Sequence, residues 1–351
     1  MKLIERIEAL ATIGATPNGI CRAAGTPEDK AGKALCIQWM MDAGMSVRQD
    51  EYQNIIGRLD GIGDPIVTGS HTDTVPTAGK YDGSLGVLAG IEVAEQLRGQ
   101  LRSPLEVIIF HDEETTMSGS VGYCKNKPPL SAFVELHVEQ GPVLDVERKD
   151  IGIVTGIVGQ RRAHFSVMGQ ENHAGTTPMN MRDDALVKAA SLITYVNDLA
   201  NEEYEGLVAT VGELTVSPNS FSVIPGQVDL TLQVRDLDVD NMEKFVETVS
   251  KSFDLRYDIV HSSEPAPCDP VLRHIMEEVC DELALYSVEM PSRASHDAQN
   301  FTWCPMGMIF VPSIGGISHS PDEETTEEMC YNGLNVLTET IRRIDGKEWA
   351  F

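Results

Sequence analysis

The sequence predicts an α/β protein built on a mostly parallel sheet flanked by helices, with a second, α+β unit inserted into it. Three observations carry this. Apolar strand-like runs that stop abruptly at polar clusters alternate with helix-period segments over the first 115 residues, the pattern of a parallel sheet. Between residues 156 and 264 the order becomes β-α-β-β-α-β, the ferredoxin-like unit. The chain, at 351 residues, is well beyond the ~150 residues that serve as a prior for one domain.

Taken in order, Leu3 to about Leu10 has helical spacing, a Gly/Pro-rich loop follows, and a second helix is expected near Glu28–Ala43. One strand is expected through Val47–Leu59. Asp64-Pro65 breaks the chain before the run Ile66-Val67-Thr68, which ends directly in Gly69-Ser70-His71-Thr72-Asp73. Apolar residues at Leu85, Leu88, Ala89, Val93 and Leu97 predict a helix over Ser84–Leu97. Leu105–Phe110 reads as a fully buried strand that runs into His111-Asp112-Glu113-Glu114. Ligands of such sheets gather at the carboxyl ends of strands, and both polar clusters lie there.

The inserted unit reads as strands at Ala163–Met168, Leu207–Val216, Gln227–Val234 and Tyr257–His261, with helices at Asp183–Leu199 and Asp238–Phe253. Pro265-Ala266-Pro267 suits a hinge back to the first unit. A helix at Val271–Leu283, a strand at Met308–Val311, a Gly-rich loop and a closing helix at Glu327–Ile344 complete the expected layout. The expected domains are therefore 1–155 with 265–351, and 156–264.

Lys plus Arg total 27 against 54 Asp plus Glu, a formal net charge of -27. No run of cations is present to neutralise phosphates, so nucleic acid and anionic membrane surfaces are excluded as partners. Glu5 and Glu8 interrupt what would be the apolar core of a secretory leader, and a cytoplasmic protein is expected. The seven cysteines have no paired metal-site spacing and read as buried reduced thiols.

Short His/carboxylate clusters recur along the chain, at His71-Thr72-Asp73, Tyr81-Asp82-Gly83, Glu113-Glu114, Glu135-Leu136-His137 and Ser318-His319-Ser320-Pro321. Taken singly, each is more often a hydrogen-bonded or solvated surface feature. Together they supply the mixed donor set that borderline divalent metals prefer, with ligands enough for two ions. In a two-metal site a carboxylate bridges the ions and activated water attacks a carbonyl, while one further carboxylate takes the proton. Neighbouring residues on a strand face opposite ways, so Glu113 and Glu114 can share such a site only on a turn or bulge at the strand end.

The runs GSHTDTVPTAGKYDGSLGVLAGIEV, HDEE, ELHVEQGPVLD, GQENHAGTTPMNMRDDAL and MIFVPSIGGISHSPDEE closely resemble the amidohydrolase branch of the M20 metallopeptidases. That branch contains N-carbamoyl-L-amino acid hydrolases, allantoate amidohydrolases and β-ureidopropionases. The resemblance implies a dinuclear-metal catalytic domain and an inserted lid and dimerisation domain, hence a homodimer. It implies two divalent ions per subunit, Zn2+ or Mn2+ with Co2+ or Ni2+ as substitutes. His71, Asp82, Glu114, His137 and His319 would be ligands, Asp82 bridging, with the Asp73 carboxylate orienting the His71 ring. Glu113 would be the general base and His173 the oxyanion donor. Asn219, Arg235 and Gln160 would bind a small substrate through its carboxylate, which the planar Arg fork suits. The implied reaction is hydrolysis of an N-carbamoyl (ureido) or related linear amide; an aminoacylase or dipeptidase of the same family is the alternative.

The chain departs from the family pattern in two places. The Glu pair continues as Thr115-Thr116-Met117-Ser118 where relatives carry Gly-x-Arg-Phe, and the stretch before ELHVEQG is short, as if a helical segment were missing. A small-residue motif reads Ser292-Arg293-Ala294-Ser295-His296-Asp297-Ala298-Gln299, with Arg293 where a glycine is usual. None of these changes removes a ligand position, so they bear on substrate choice.

Overall fold

The computed structural model describes residues 2–347. The chain forms two compact units, residues 1–157 with 266–351, and 158–265.

The first unit is built on a nine-stranded sheet. Its centre is four parallel strands, Met306–Val311, Ala132–Val138, Ile66–His71 and Leu105–Phe110, paired in that order. Antiparallel strands flank them, Ile55–Leu59 and Ser46–Gln49 beyond Leu105–Phe110, and Ile151–Ile157 beyond Met306–Val311. The expected α/β class with a mostly parallel sheet therefore holds. Every residue of the four central strands is buried, which accounts for their unbroken apolar runs.

Alternate strand residues face two cores. Ile66, Val107, Ile109, Val134 and Ile309 pack with Leu3, Leu85, Leu272 and Leu334 from four helices. Val67, Ile108, Phe110, Phe133 and Phe310 form the other core with Leu144 and Phe301. Five helices begin where a short polar side chain accepts from free backbone N–H groups, at Thr26, Asp184, Asp238, Asp269 and Thr326.

The second unit has strands Gly159–Met168, Val208–Ser217, Gln227–Asp236 and Tyr257–Ser263, with helices Ala185–Glu203 and Val239–Phe253. All three pairings are antiparallel, and the sheet order is 208–217, 227–236, 159–168, 257–263. Ala163, Phe165, Val167, Leu230 and Leu232 pack against the helices. The alternate residues, including Gln160, Arg162, Gln233 and Arg235, occupy the opposite face of the sheet.

One strand expected over Val47–Leu59 is instead a hairpin, Ser46–Gln49 with Ile55–Leu59. The Asp50 carboxylate accepts from the Tyr52 and Asn54 amides and Gln53 takes a positive φ of 69°, so a turn replaces the middle of the run. Cys36, Cys124, Cys268, Cys280 and Cys330 are buried and all seven cysteines are free. Burial pushes the Cys36 thiol up to about 12, so it is an inert core side chain.

Candidate metal centre

The four parallel strands deliver their polar residues at one end. Ile66–His71 closes on His71, and Leu105–Phe110 leads within four residues to Glu113 and Glu114. Ala132–Val138 carries His137 at its penultimate position, and the segment after Met306–Val311 carries His319. Asp82 stands two residues before helix Ser84–Leu97, where the positive end of the helix dipole favours a carboxylate. Gly83 takes a φ of 61°, and a Cβ there would sit 2.5 Å from three atoms of the His71 ring. The glycine of the YDG motif is therefore what lets Asp82 and His71 meet.

Asp82 is the hub. Its Oδ1 is 3.4 Å from His71 Nε2 and 3.2 Å from His137 Nε2, while its Oδ2 is 3.2 Å from His319 Nε2. His319 Nε2 is also 3.5 Å from Glu114 Oε2. Two ligand groups result, His71 with Asp82 and His137, and Asp82 with Glu114 and His319, the ligand atoms of each lying within 4.8 Å of one another. The first group is fully buried, with exposures of 2%, 5% and 1%; the His319 side chain is 50% exposed.

Hydrogen bonding tests whether these residues suit an ion. His71 Nδ1 lies 3.0 Å from the Asp73 carbonyl and His137 Nδ1 2.9 Å from the Val138 carbonyl, so both δ nitrogens must donate. The Gly83 amide donates to His137 Nε2 at 3.1 Å, which requires a lone pair on that nitrogen. A lone pair facing a carboxylate oxygen at 3.2 Å is repulsive unless a cation lies between them. The donor set therefore fits a divalent cation. Burial disfavours charge on His71, yet Glu113, Asp82 and Asp73 lift its pKa well above the usual histidine range, and burial is likewise outweighed at Asp82, which His137, His319 and His71 hold well below the carboxylate range.

A further group, Glu135, His137 and His296, is not an independent site. His137 has spent its Nδ1 on Val138, and Glu135 is engaged by the Ser70 hydroxyl and the Ala298 amide.

Glu113 Oε2 lies 3.6 Å from His71 Nε2. Burial is the main cause that raises its pKa well above the usual range, with His71 opposing and Asp297, Glu114 and Asp82 adding to it. Glu113 and Glu114 reach the same centre because the strand ends at Phe110 and the chain turns through Asp112, whose φ is 61°. The irregularity expected for two adjacent carboxylates is thus present. Asp73 departs from its expected role. The His71 ring is oriented by the Asp73 main-chain carbonyl, and the carboxylate is farther off at 3.9 Å. That carboxylate accepts instead from the Glu114 amide at 3.2 Å and so steadies the Glu pair.

Three residues of the centre escaped the sequence reading. Gln140, three positions past His137 in ELHVEQG, donates to Asp82 Oδ2 at 2.9 Å. Ser318 lies 3.5 Å from the same oxygen, and Glu323 accepts from the Asp82 amide. Gln140 and Ser318 sit inside motifs already singled out, but Glu323 lies in an acidic run that looks like solvated surface.

The substrate-binding candidates are in the second unit. His173 is exposed, and its Nδ1 accepts from the Gly175 amide at 2.9 Å and the Thr176 amide at 3.3 Å. Its proton is therefore on Nε2, which is presented as a neutral donor. Asn219 is exposed with a φ of 54°, a left-handed conformation that Asn tolerates. Arg235 and Gln160 are direct cross-strand neighbours although 75 positions apart. Arg235 Nε donates to Gln233 Oε1 at 3.1 Å, and the Gln160 amide oxygen, oriented to suit its neighbours, accepts from Gln233 and from Arg162 Nε at 2.9 Å. Arg162 thus joins the candidates on that face.

The profile described as peptidase family M20/M25/M40 matches residues 67–343. The chain is 34% identical to N-carbamoyl-L-amino acid amidohydrolase of Geobacillus stearothermophilus, over 97% of each chain. It is 33% identical to allantoate amidohydrolase of Bacillus subtilis, again over 97% of each. The first alignment runs to 398 positions, more than the 351 residues here, so this chain omits segments its relative has. A crystal structure of a hydantoinase/carbamoylase family amidase from Burkholderia multivorans superposes with a TM-score of 0.89 at 32% identity, covering 99% of this chain and 98% of that one.

Proposed function

The chain belongs to peptidase family M20/M25/M40, and from that premise we propose that it is a divalent-metal-dependent amidohydrolase acting on the ureido C–N bond of a small carboxylate-bearing molecule. The observation that carries this reading is Asp82, whose two oxygens face two separate ligand groups.

Two ions, Zn2+ or Mn2+ in the first instance, would be held by His71, His137 and Asp82 and by Asp82, Glu114 and His319. When bound, they supply a lowered pKa for water and polarisation of the scissile carbonyl. Glu113 takes the proton of the attacking water and returns it to the leaving nitrogen. His173 donates its Nε2 proton toward the carbonyl oxygen as charge develops there. Arg235 grips the substrate carboxylate, with Gln160 and Asn219 as its companions. A ureido substrate then yields ammonia, carbon dioxide and an amine.

The second unit serves as lid and dimer surface in this proposal. The edge strand Val208–Ser217, with Val208 38% and Leu214 42% exposed, supports pairing with a second copy. Free thiols throughout support a reducing, cytoplasmic setting.

The test is a panel of N-carbamoyl amino acids, allantoate, N-acetyl amino acids and dipeptides, assayed after adding Mn2+, Zn2+ or Co2+. Ureido substrates are expected to turn over fastest. Faster release from N-acetyl amino acids or dipeptides would replace this reading with that of an aminoacylase or dipeptidase.

A further inference from the structure

Asp82 and His319 belong to neither strand nor helix; Asp82 lies in a turn ahead of Ser84–Leu97, and His319 in an irregular segment with a φ of 53°. A ligand group drawn from two such segments is only as well formed as whatever ties them together. Two side chains tie them: Gln140 Nε2 donates to Asp82 Oδ2 at 2.9 Å and lies 3.4 Å from His319 Nε2, and Glu323 joins the two segments through their backbone and Ser318.

Glu323 is 5% exposed although it sits in the run Asp322-Glu323-Glu324. Its Oε1 accepts from the Tyr81 amide at 2.8 Å and from the Asp82 amide at 3.0 Å. Its Oε2 lies 3.4 Å from the Ser318 hydroxyl, which is itself 3.5 Å from Asp82 Oδ2. Ser318 adjoins His319, so the loop is closed from ligand to ligand through Glu323. The fit is close. A Cβ on Gly79 would lie 2.4 Å from the Glu323 Cβ, so only glycine at that position leaves the carboxylate its place. A carboxylate withdrawn from water is sustained by fixed donors, and here those donors are the backbone of the Asp82 turn. Both oxygens are engaged, and Glu323 is in neither ligand group.

We propose that Glu323 is a positioning residue of the second ligand group, docking the His319 loop on the Asp82 turn so that Asp82, Glu114 and His319 converge. The inference rests on the dinuclear reading above. The first group depends less on this tie, because His71 and His137 stand on central strands.

Calorimetric titration of the metal-stripped full chain with Co2+, followed in parallel by the visible absorption of the bound ion, tests it. Glu323→Ala is expected to weaken the second ion by about 10–100-fold, with the first ion and the thermal midpoint near wild type. Glu323→Gln is expected to restore the second ion, because the amide oxygen still accepts from both backbone N–H groups and the amide nitrogen still meets Ser318. Gly79→Ala, which displaces Glu323 without altering its chemistry, is expected to reproduce the selective loss and serves as the test if Glu323→Ala does not fold. Wild-type affinity for both ions in a folded Glu323→Ala protein, or equal damage by Gln and Ala, would overturn the proposal. A wild-type chain that takes up fewer than two ions would instead overturn the dinuclear reading.

Discussion

The metal-facing end of the first unit and the candidate substrate face of the second hold their polar residues in opposite ways. Around Asp82 the side chains converge, His71, Asp82, His137 and Glu113 are buried, and the His71 and His137 rings are aimed by main-chain carbonyls. In the second unit His173 and Asn219 are exposed, His173 being held by amides of its own loop, while Arg235 and Gln160 both lean on the Gln233 side-chain amide. The first arrangement is organised before any substrate arrives, because burial leaves its groups few alternative partners. The second presents individual donors. Damage to the first should therefore appear in metal binding, and damage to the second in substrate handling with metal content intact.

Four substitutions or titrations would break or sharpen that contrast. The largest effect is expected from Glu113→Gln, which belongs to the buried centre without being a ligand. Turnover should fall by about 10²–10⁴-fold while metal content by elemental analysis is unchanged. Retained turnover would remove Glu113 as the base. Next, His173→Ala should lower kcat by about 10²–10³-fold with both ions still bound, since a single oxyanion donor is lost; loss of metal in this variant would contradict the separation of the two units' tasks. Arg235→Lys keeps the charge but loses the planar fork, so KM should rise by about tenfold, at the lower end of the ~1.5–3 kcal/mol of a charge-assisted hydrogen bond, with kcat little changed. An unaltered KM would place the carboxylate elsewhere.

The smallest effect concerns protons. Burial disfavours charge on His71, yet Glu113, Asp82 and Asp73 raise its pKa. A raised pKa leaves more proton bound to the metal-free centre at neutral pH, and an incoming ion must expel it. Apparent metal affinity should accordingly weaken as pH falls, and calorimetry in two buffers of different ionisation enthalpy should record proton release on binding. Uptake with no proton release would mean that the His71 ring is neutral before the ion arrives.

The same contrast decides what was legible in the sequence. Buried parallel strands write themselves as unbroken apolar runs, so the ends of Ile66–His71 and Leu105–Phe110, and the clusters just past them, could be located from composition alone. Alternation in Ala163–Met168 likewise marked a strand with one covered face. The hairpin within Val47–Leu59 was hidden because its turn depends on Asp50 accepting main-chain amides, with no glycine or proline to announce it. Asp73 misled for a related reason. Its side chain suits the orienting of a histidine, but the main-chain carbonyl reaches the ring first. Glu323 was invisible because an acidic run carries no sign of which member turns inward; only the space left by Gly79 and the amides of the Asp82 turn select it. Cross-strand register, which joins Gln160 to Arg235, is likewise absent from either strand's own residues.

The most direct test of the account is turnover of an N-carbamoyl amino acid against ions bound per chain, starting from metal-stripped protein. The account predicts little activity until the buried first group is filled and a steep rise as the second ion binds at Asp82, Glu114 and His319, reaching a plateau at two ions per chain. Full turnover with one ion, or undiminished turnover by the stripped protein, would contradict it.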